Sequence, residues 1–411
     1  MKILVLNSGS SSQKACLYDI GETLPAHPPA CLWEGRIEWA GETAEVTTKA
    51  KGIREAKRVA GMSRRQVLED LVSTLWKRRW TAVIDSASDI AAVGHRVVHG
   101  GPHFEDPVTI TPEVISAIGS VSAFAPLHIR SELEGIRMIE SLLGAVPQMA
   151  VFDTGFHRQM PPAAAVYPGP YEWFEKGIRR HGFHGVNHQY CAGRAAQLLD
   201  RDLQSLKLVT CHLGNGCSIA AIEGGRSVDT TMGFTPLDGL MMGTRSGSVD
   251  PGILTFLMRE HHLDGPEINK VLNQRSGLLG VSGISGDMRE ILSAIQAGHQ
   301  RAKLAFDIYV HRIRSAIGGM TAVLGGMDAL VFTGGVGENS PDVRAETCGT
   351  LGYLGLSLDS GRNMRPSLDE DISTSESLVR VLVIRAEEDW AIAAECWKLV
   401  RLEAPVEKVN L

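Results

Sequence analysis

Two arginines sit in surroundings that ordinarily exclude charge. Arg96 lies within Val93-Gly94-His95-Arg96-Val97-Val98-His99-Gly100-Gly101, a run that reads as a strand ending in a glycine turn. Arg245 lies in the glycine-rich segment Met241-Met242-Gly243-Thr244-Arg245-Ser246-Gly247. A guanidinium among apolar neighbours costs desolvation free energy unless an anion meets it. One such group from each half of the chain could fork onto a carboxylate or a transferring phosphoryl group. A structural salt bridge is the competing reading for either alone. Histidines crowd the segment Arg180-His181-Gly182-Phe183-His184-Gly185-Val186-Asn187-His188. Glycines beside His184 disfavour a helical pair of metal ligands and no carboxylate lies within the run, so hydrogen-bond donation is the expected role for one of them. His181 and His188 read as structural. Asp153 closes the apolar run Val151-Phe152, where α/β sheets tend to keep active-site residues; a helix N-cap is the alternative.

The elements that position these groups follow from strand and turn signals. Ile3-Leu4-Val5-Leu6 leads into the loop Asn7-Ser8-Gly9-Ser10-Ser11-Ser12 and returns through Ala15–Tyr18. Leu208–Cys211 leads into His212-Leu213-Gly214-Asn215-Gly216 and returns through Ile219–Ile222. Two hairpins of one design opening two halves of a chain imply an internal duplication. Such loops expose backbone N–H groups and hydroxyls suited to phosphate oxygens, and Lys14 could add a mobile positive charge to the first. Val331-Phe332-Thr333 runs into the Gly-rich turn Gly334–Asn339, where a planar base could approach the backbone. Ser63 and Gln66 form a capping-box pattern ahead of a helix whose Val67, Leu68, Leu71, Val72, Leu75 and Trp76 share a face. A second helix is expected from about His299, another strand at Val379–Ile384, and a closing helix from Glu388. Glu387-Glu388-Asp389 there serves either the helix dipole or a metal ion. Strands alternating with helices make an α/β protein.

Composition sets the frame. The chain has 411 residues, 41 Lys+Arg against 47 Asp+Glu, and a formal charge of −6. That length suggests two or three domains. Hydrophobic residues at 44% and charged residues at 21% are ordinary for a globular protein. Without a basic run there is no electrostatic footprint for nucleic acid. No apolar stretch is long enough to span a membrane, and the start reads as a buried strand, not a signal peptide. Seven cysteines without a Cys-x-x-Cys pair argue against a disulfide framework or a zinc site. A cytoplasmic enzyme is the expectation. No Gly-Lys dipeptide occurs, so a Walker loop is excluded.

Together these segments resemble the acetate and propionate kinase family, within the actin, sugar-kinase and Hsp70 superfamily. The resemblance runs nearly end to end. It is carried by Leu6–Lys14, Gly94–Gly101, Phe152-Asp153-Thr154, Gly182-Phe183-His184-Gly185, the block from His212 to Asp250, and Phe332–Ser340. It implies a duplicated two-domain fold of the ribonuclease H-like type with an interdomain cleft. The domains would be 1–150, joined by the helix from about 388, and 151–387. The implied activity is reversible transfer of the ATP γ-phosphoryl group to a short carboxylate. By resemblance, Arg96 and Arg245 hold the carboxylate and the phosphoryl group, His184 contacts the transition state, and Asp153 is the family's catalytic acidic residue. Asn7 and Glu388 go with Mg²⁺, for which Mn²⁺ could substitute. The nucleotide (ATP or ADP) goes with Ser10, Ser12, Lys14, His212, Leu213, Gly214, Asn215, Gly216, Asp287, Met288, Arg289, Gly335, Val336, Gly337, Glu338 and Asn339. Val98, Leu127, Phe183 and Pro236 match the acyl pocket, and a homodimer is implied. Three segments depart from the family pattern: Met288 replaces an aromatic, Ile129-Arg130 replaces Asn-Pro, and Ala386–Trp390 replaces Thr-Asn-Glu-Glu-Leu. A carboxylate is ionised at neutral pH and needs no general base, so direct in-line transfer is expected. Propionate or butyrate as acceptor, and an ATP-gated binding protein of the same fold, are the alternatives.

Overall fold

The computed structural model describes residues 1–403 except 10, 11, 79, 103, 123, 125 and 368; residues 126 and 127 are described by backbone alone. The chain divides into two compact units, one formed by Met1–Gly155 and the segment from Glu387, the other by Phe156–Ala386.

In the first unit the expected hairpin is β1 (Lys2–Ser8) and β2 (Ser12–Asp19), paired with Asn7 opposite Lys14. It extends antiparallel through β3 (Trp33–Ala40), β4 (Thr43–Ala50) and β5 (Ile53–Ala60). On its other side β1 runs parallel to β6 (Ile90–Val97). The edge strand β7 (Val108–Thr109) pairs antiparallel with β8 (Gln148–Phe152), which runs parallel to β6. The order is β5-β4-β3-β2-β1-β6-β8-β7.

The second unit repeats the plan with β9 (Lys207–Leu213), β10 (Cys217–Glu223), β11 (Arg226–Thr230), β12 (Ala329–Thr333), β13 (Glu370–Asp371) and β14 (Arg380–Val383). Its order is β11-β10-β9-β12-β14-β13. In β3-β2-β1-β6-β8 and in β11-β10-β9-β12-β14 alike, three antiparallel strands are followed by two parallel ones. The shared topology bears out the duplication read from the two hairpins.

Helices cover the sheets as their apolar faces require. Arg64–Lys77 starts on the capping box of Ser63 and Gln66 and buries Val67, Leu68, Leu71, Val72 and Leu75. Gln300–Leu324 is capped by His299 and buries Ala302, Ala305, Phe306, Tyr309, Ile313 and Ile317. The closing helix, Glu388–Glu403, packs on the first unit's sheet at Gly94, where a Cβ would fall 2.6 Å from Cys396 Sγ and 2.7 Å from Ile392 Cγ2. Only glycine admits so close a helix. One expectation is corrected. The segment after β12 is a short helix, Gly334–Asn339, not an open turn. Gly334 has φ of +79° and sits against the Leu213 carbonyl, so the chain can leave the strand and begin helix at once. All seven cysteines are free thiols. Among the described residues no helix is long and apolar enough to cross a membrane.

Candidate active site

Strand ends deliver the first unit's polar groups to one place. Arg96, near the end of β6, donates from Nε to Asp153 Oδ1 at 3.1 Å, pairs through Nη2 with Asp153 Oδ2, and donates from Nη1 to Asn7 Oδ1 at 3.2 Å. Asp153 is 1% exposed and follows β8, its own N–H bonded to Val97 O at 2.9 Å. Both carboxylate oxygens therefore serve the arginine, and none caps a helix. Burial lowers the Arg96 pKa while the Asp153 carboxylate raises it, and the carboxylate prevails. Asn7 Nδ2 donates to Glu388 Oε2 at 3.2 Å and to Asp389 Oδ1 at 3.4 Å, so the closing helix brings its acidic start to the first loop. Lys14 pairs with Asp389 Oδ2 at 2.5 Å, which holds its ammonium charged despite the opposing effect of burial. Lys14 thus belongs structurally with Asn7 and Asp389, in the unit that also holds Ser12, whereas the other described nucleotide-assigned residues lie in the second unit.

Glu132, on the helix Pro126–Leu143, escaped the sequence reading. It is 2% exposed, accepts from the Val98 N–H at 3.1 Å through Oε1, and has no partner for Oε2 among the described residues. Burial pushes its carboxyl up to about 8, against the opposing Val98 N–H bond and the Arg96 charge. Below about pH 4.5 both folded and unfolded chains hold this proton. Between there and about 8 only the folded chain does, so stability falls as pH rises through that window. Glu132→Gln keeps the acceptor for Val98 and should remove the slope. Thermal scans should show the variant gaining on the parent by several degrees at pH 8 and little at pH 5; equal differences at both would mean Glu132 is ionised in the fold.

In the second unit, His184 stands at the N-cap of the helix Gly185–Leu199 with φ of 57°, a left-handed conformation costly for any residue but glycine. The backbone before it is held by His157, whose Nε2 lies 3.1 Å from the Phe183 carbonyl and whose Nδ1 lies 2.7 Å from Ser227 Oγ. His184 Nδ1 is 2.9 Å from Ser218 Oγ, and His188 Nε2 is 2.7 Å from the same oxygen. His184 also stacks on His212 at 4.2 Å. A Cβ on Gly216 would fall 3.5 Å from Arg245 Nη1 and 3.6 Å from His184 Nε2, so the guanidinium and the imidazole converge above one glycine. Arg245 donates to the Pro236 carbonyl at 3.1 Å and forms no ion pair among the described residues. Burial lowers its pKa. A half-buried cation with no carboxylate is a site for an anion.

The remaining assigned residues are placed as follows. Asp287 caps the helix Met288–Gln296 and binds exposed Arg289, while Met288 is buried. Gly214 and Gly216 close the tight turn after β9, and the Asn215 carbonyl accepts from Gly243 N at 3.1 Å. Glu338 Oε1 accepts from Gly334 and Ala386 N–H groups, each at 2.9 Å, and Asn339 donates to the Gly335 carbonyl at 2.9 Å. Phe183 and Val98 are buried in their own units and Pro236 is half-buried. Ser10 and the Leu127 side chain lie outside the described residues, and Ser12 begins β2.

Known proteins resemble this chain over nearly its whole length. The family model described as the acetokinase family matches residues 2–394. An acetate kinase of Cyanothece sp. is 56% identical over 404 residues, covering 98% of this chain and 99% of the relative. The crystal structure of Porphyromonas gingivalis acetate kinase superposes with a TM-score of 0.89 at 41% identity, over 97% of this chain and 99% of that one. A propionate kinase from Francisella tularensis gives 0.88 at 38%, with the same coverage. The chain belongs to the acetokinase family. Three further residues that hold the candidate site's segments by hydrogen bonds carry no motif signal. Arg344 is fully buried and donates to the Gly337 and Glu338 carbonyls at 2.7 and 2.8 Å and to Asn363 Oδ1 and O at 2.8 and 2.6 Å. Ser218 and Thr210 are strand residues in ordinary apolar runs. Only distances reveal them.

Proposed function

We propose that the chain moves the γ-phosphoryl group of ATP onto acetate, reversibly and in line. The observation that carries this reading is the convergence of Arg245 and His184 above Gly216, a cation and an imidazole aimed at one position in a phosphate-type loop. A carboxylate oxygen of acetate attacks the γ-phosphorus, the bond to the β,γ-bridging oxygen breaks, and ADP leaves with that electron pair. The acetate is already ionised, so Asp153 orients Arg96 and abstracts no proton. Arg96 and Arg245 offset the repulsion between acid and triphosphate, and His184 donates to an equatorial oxygen. The Asn7 amide lies beside the Glu388 carboxylate, Nδ2 to Oε2 at 3.2 Å, two groups whose oxygens could hold an ion that takes few protein ligands and completes its shell with phosphate and water. Mg²⁺ bound there would neutralise charge on the β- and γ-phosphates. The turn His212–Gly216, Asp287–Arg289 and the helix from Gly334 to Asn339 are the nucleotide contacts, with Lys14 and Ser12 of the first loop reaching phosphate.

Incubation with Mg-ATP and acetate in the presence of hydroxylamine should yield acetohydroxamate, and EDTA should abolish it. The close propionate kinase structure supports a second acceptor. One methylene in an apolar pocket changes selectivity by only about 1–3 kcal/mol, so propionate should react measurably. No hydroxamate from acetate, propionate or butyrate would leave only the ATP-gated binding reading standing. A homodimer is also proposed. The helix Pro251–Glu260 buries none of its residues and exposes Ile253, Phe256 and Met258 on a single chain, an apolar face that a second copy would cover. Sedimentation should give twice the monomer mass, and Phe256→Asp should halve it; a monomeric parent would refute the dimer.

A further inference from the structure

Behind His184 runs a chain of buried hydrogen bonds whose direction can be worked out by counting protons. Thr210 Oγ1 lies 2.7 Å from His188 Nδ1, His188 Nε2 lies 2.7 Å from Ser218 Oγ, and Ser218 Oγ lies 2.9 Å from His184 Nδ1. Thr210, His188 and Ser218 are all fully buried. Each hydroxyl has one proton to donate, and the Thr210 hydroxyl has no partner but His188 among the described residues. A buried hydroxyl that fails to donate loses its hydration with nothing in return, so Thr210 donates to His188 Nδ1. His188 is neutral: burial first, then the neighbouring His157 and His212, push its pKa well below the ordinary range. Its single proton therefore sits on Nε2 and is donated to Ser218. Having accepted that bond, Ser218 turns its own proton to His184 Nδ1. The nitrogen left to carry the His184 proton is Nε2, the atom 3.6 Å from the Gly216 Cβ position that Arg245 also approaches.

We propose that Ser218 and His188 are positioning residues that hold His184 in its Nε2–H tautomer, so that it meets the phosphoryl group as a donor. The role toward the phosphoryl group rests on the phosphotransferase reading; the tautomer itself does not. Reversing the chain would place a proton on His184 Nδ1 and turn Nε2 into an acceptor, which would repel a phosphoryl oxygen. Two strands and one helix turn thus decide the polarity of a group none of them carries.

Long-range ¹H–¹⁵N spectra of the histidine-labelled full chain test this, with His184 assigned by its loss in His184→Gln. The expected result is a protonated Nε2 and an acceptor-type Nδ1 in the unmodified protein. Ser218→Ala should shift His184 toward a tautomer mixture and lower kcat about tenfold, the worth of one well-placed hydrogen bond, with KM for ATP and acetate little changed. Ser218→Thr, which keeps the hydroxyl, should restore both the spectrum and kcat. A proton on His184 Nδ1 in the unmodified chain, or a His184 spectrum that Ser218→Ala leaves unmoved, would overturn the proposal. Because the spectra need no turnover, a protein with the expected tautomer that forms no hydroxamate would count against the phosphotransferase reading alone.

Discussion

Arg96→Ala and Arg245→Ala should each lower turnover by about a thousandfold, the scale of a lost phosphoryl-stabilising arginine, yet only Arg96→Ala should lower thermal stability. The difference lies in what each guanidinium leaves behind. Arg96 is held by a carboxylate that is 1% exposed, and its removal strands that charge in a site built for an ion pair. Breaking a buried pair from one side costs about 3–5 kcal/mol. Arg245 has no carboxylate among the described residues and is destabilised as a cation by burial. Its loss relieves the unit, so Arg245→Ala should melt at or above the parent temperature while being as inactive as Arg96→Ala. Adding phosphate or ATP should raise the melting temperature of the parent more than that of Arg245→Ala. On the proposed reaction both arginines act on one phosphoryl group, so the double variant should lose far less than the product of the single losses. Kinetics with thermal scans decide the matter: turnover near the parent's in either variant makes that arginine structural, and a strongly destabilised Arg245→Ala contradicts the uncompensated-charge account.

Arg344→Ala should be the most destabilising single change in the second unit, by about 3–5 kcal/mol. Its guanidinium is fully enclosed and meets four acceptors, three of them backbone carbonyls. Burial lowers its pKa to about 10, which still leaves it protonated at neutral pH. Truncation to alanine leaves those carbonyls unpaired and opens a cavity the length of the side chain. Two of the acceptors, Gly337 and Glu338, belong to the helix Gly334–Asn339 that the nucleotide reading uses. The variant should therefore raise KM for ATP more than KM for acetate in whatever fraction folds. Urea titration and separate substrate titrations would test both halves; a loss below about 1 kcal/mol would mean the carbonyls find water.

Much of this site was legible because a few residue types break the rules of their surroundings. A charged Arg96 in an apolar strand, a glycine-serine loop after a strand, and an acidic start to the last helix are each a conflict between local composition and local structure. Such conflicts survive where chemistry needs them. Glu132, Arg344, Thr210 and Ser218 escaped notice for the opposite reason. Each sits in an ordinary helical or strand pattern, and its importance lies in a partner 34, 19 or 22 residues away, or 34 in the case of Ser218 and His184. The glycine-rich stretch after β12 reads as a turn in sequence and folds as a short helix, because periodicity over six residues cannot separate the two.

The order of apolar runs and small-residue loops determined, without coordinates, that this is a duplicated α/β chain with two phosphate-type loops. Strand signals are local, depending only on residues within a few positions, and the motifs singled out Arg96, Asp153, His184 and Arg245 as candidates. Tertiary structure alone decided that Asp153 serves Arg96, that Lys14 answers to Asp389, that Arg245 stands without a carboxylate among the described residues, and that Ser218 and His188 stand behind His184. Hydrogen bonds and ion pairs act over about 3 Å, and only folding brings residues so far apart in the chain within that reach.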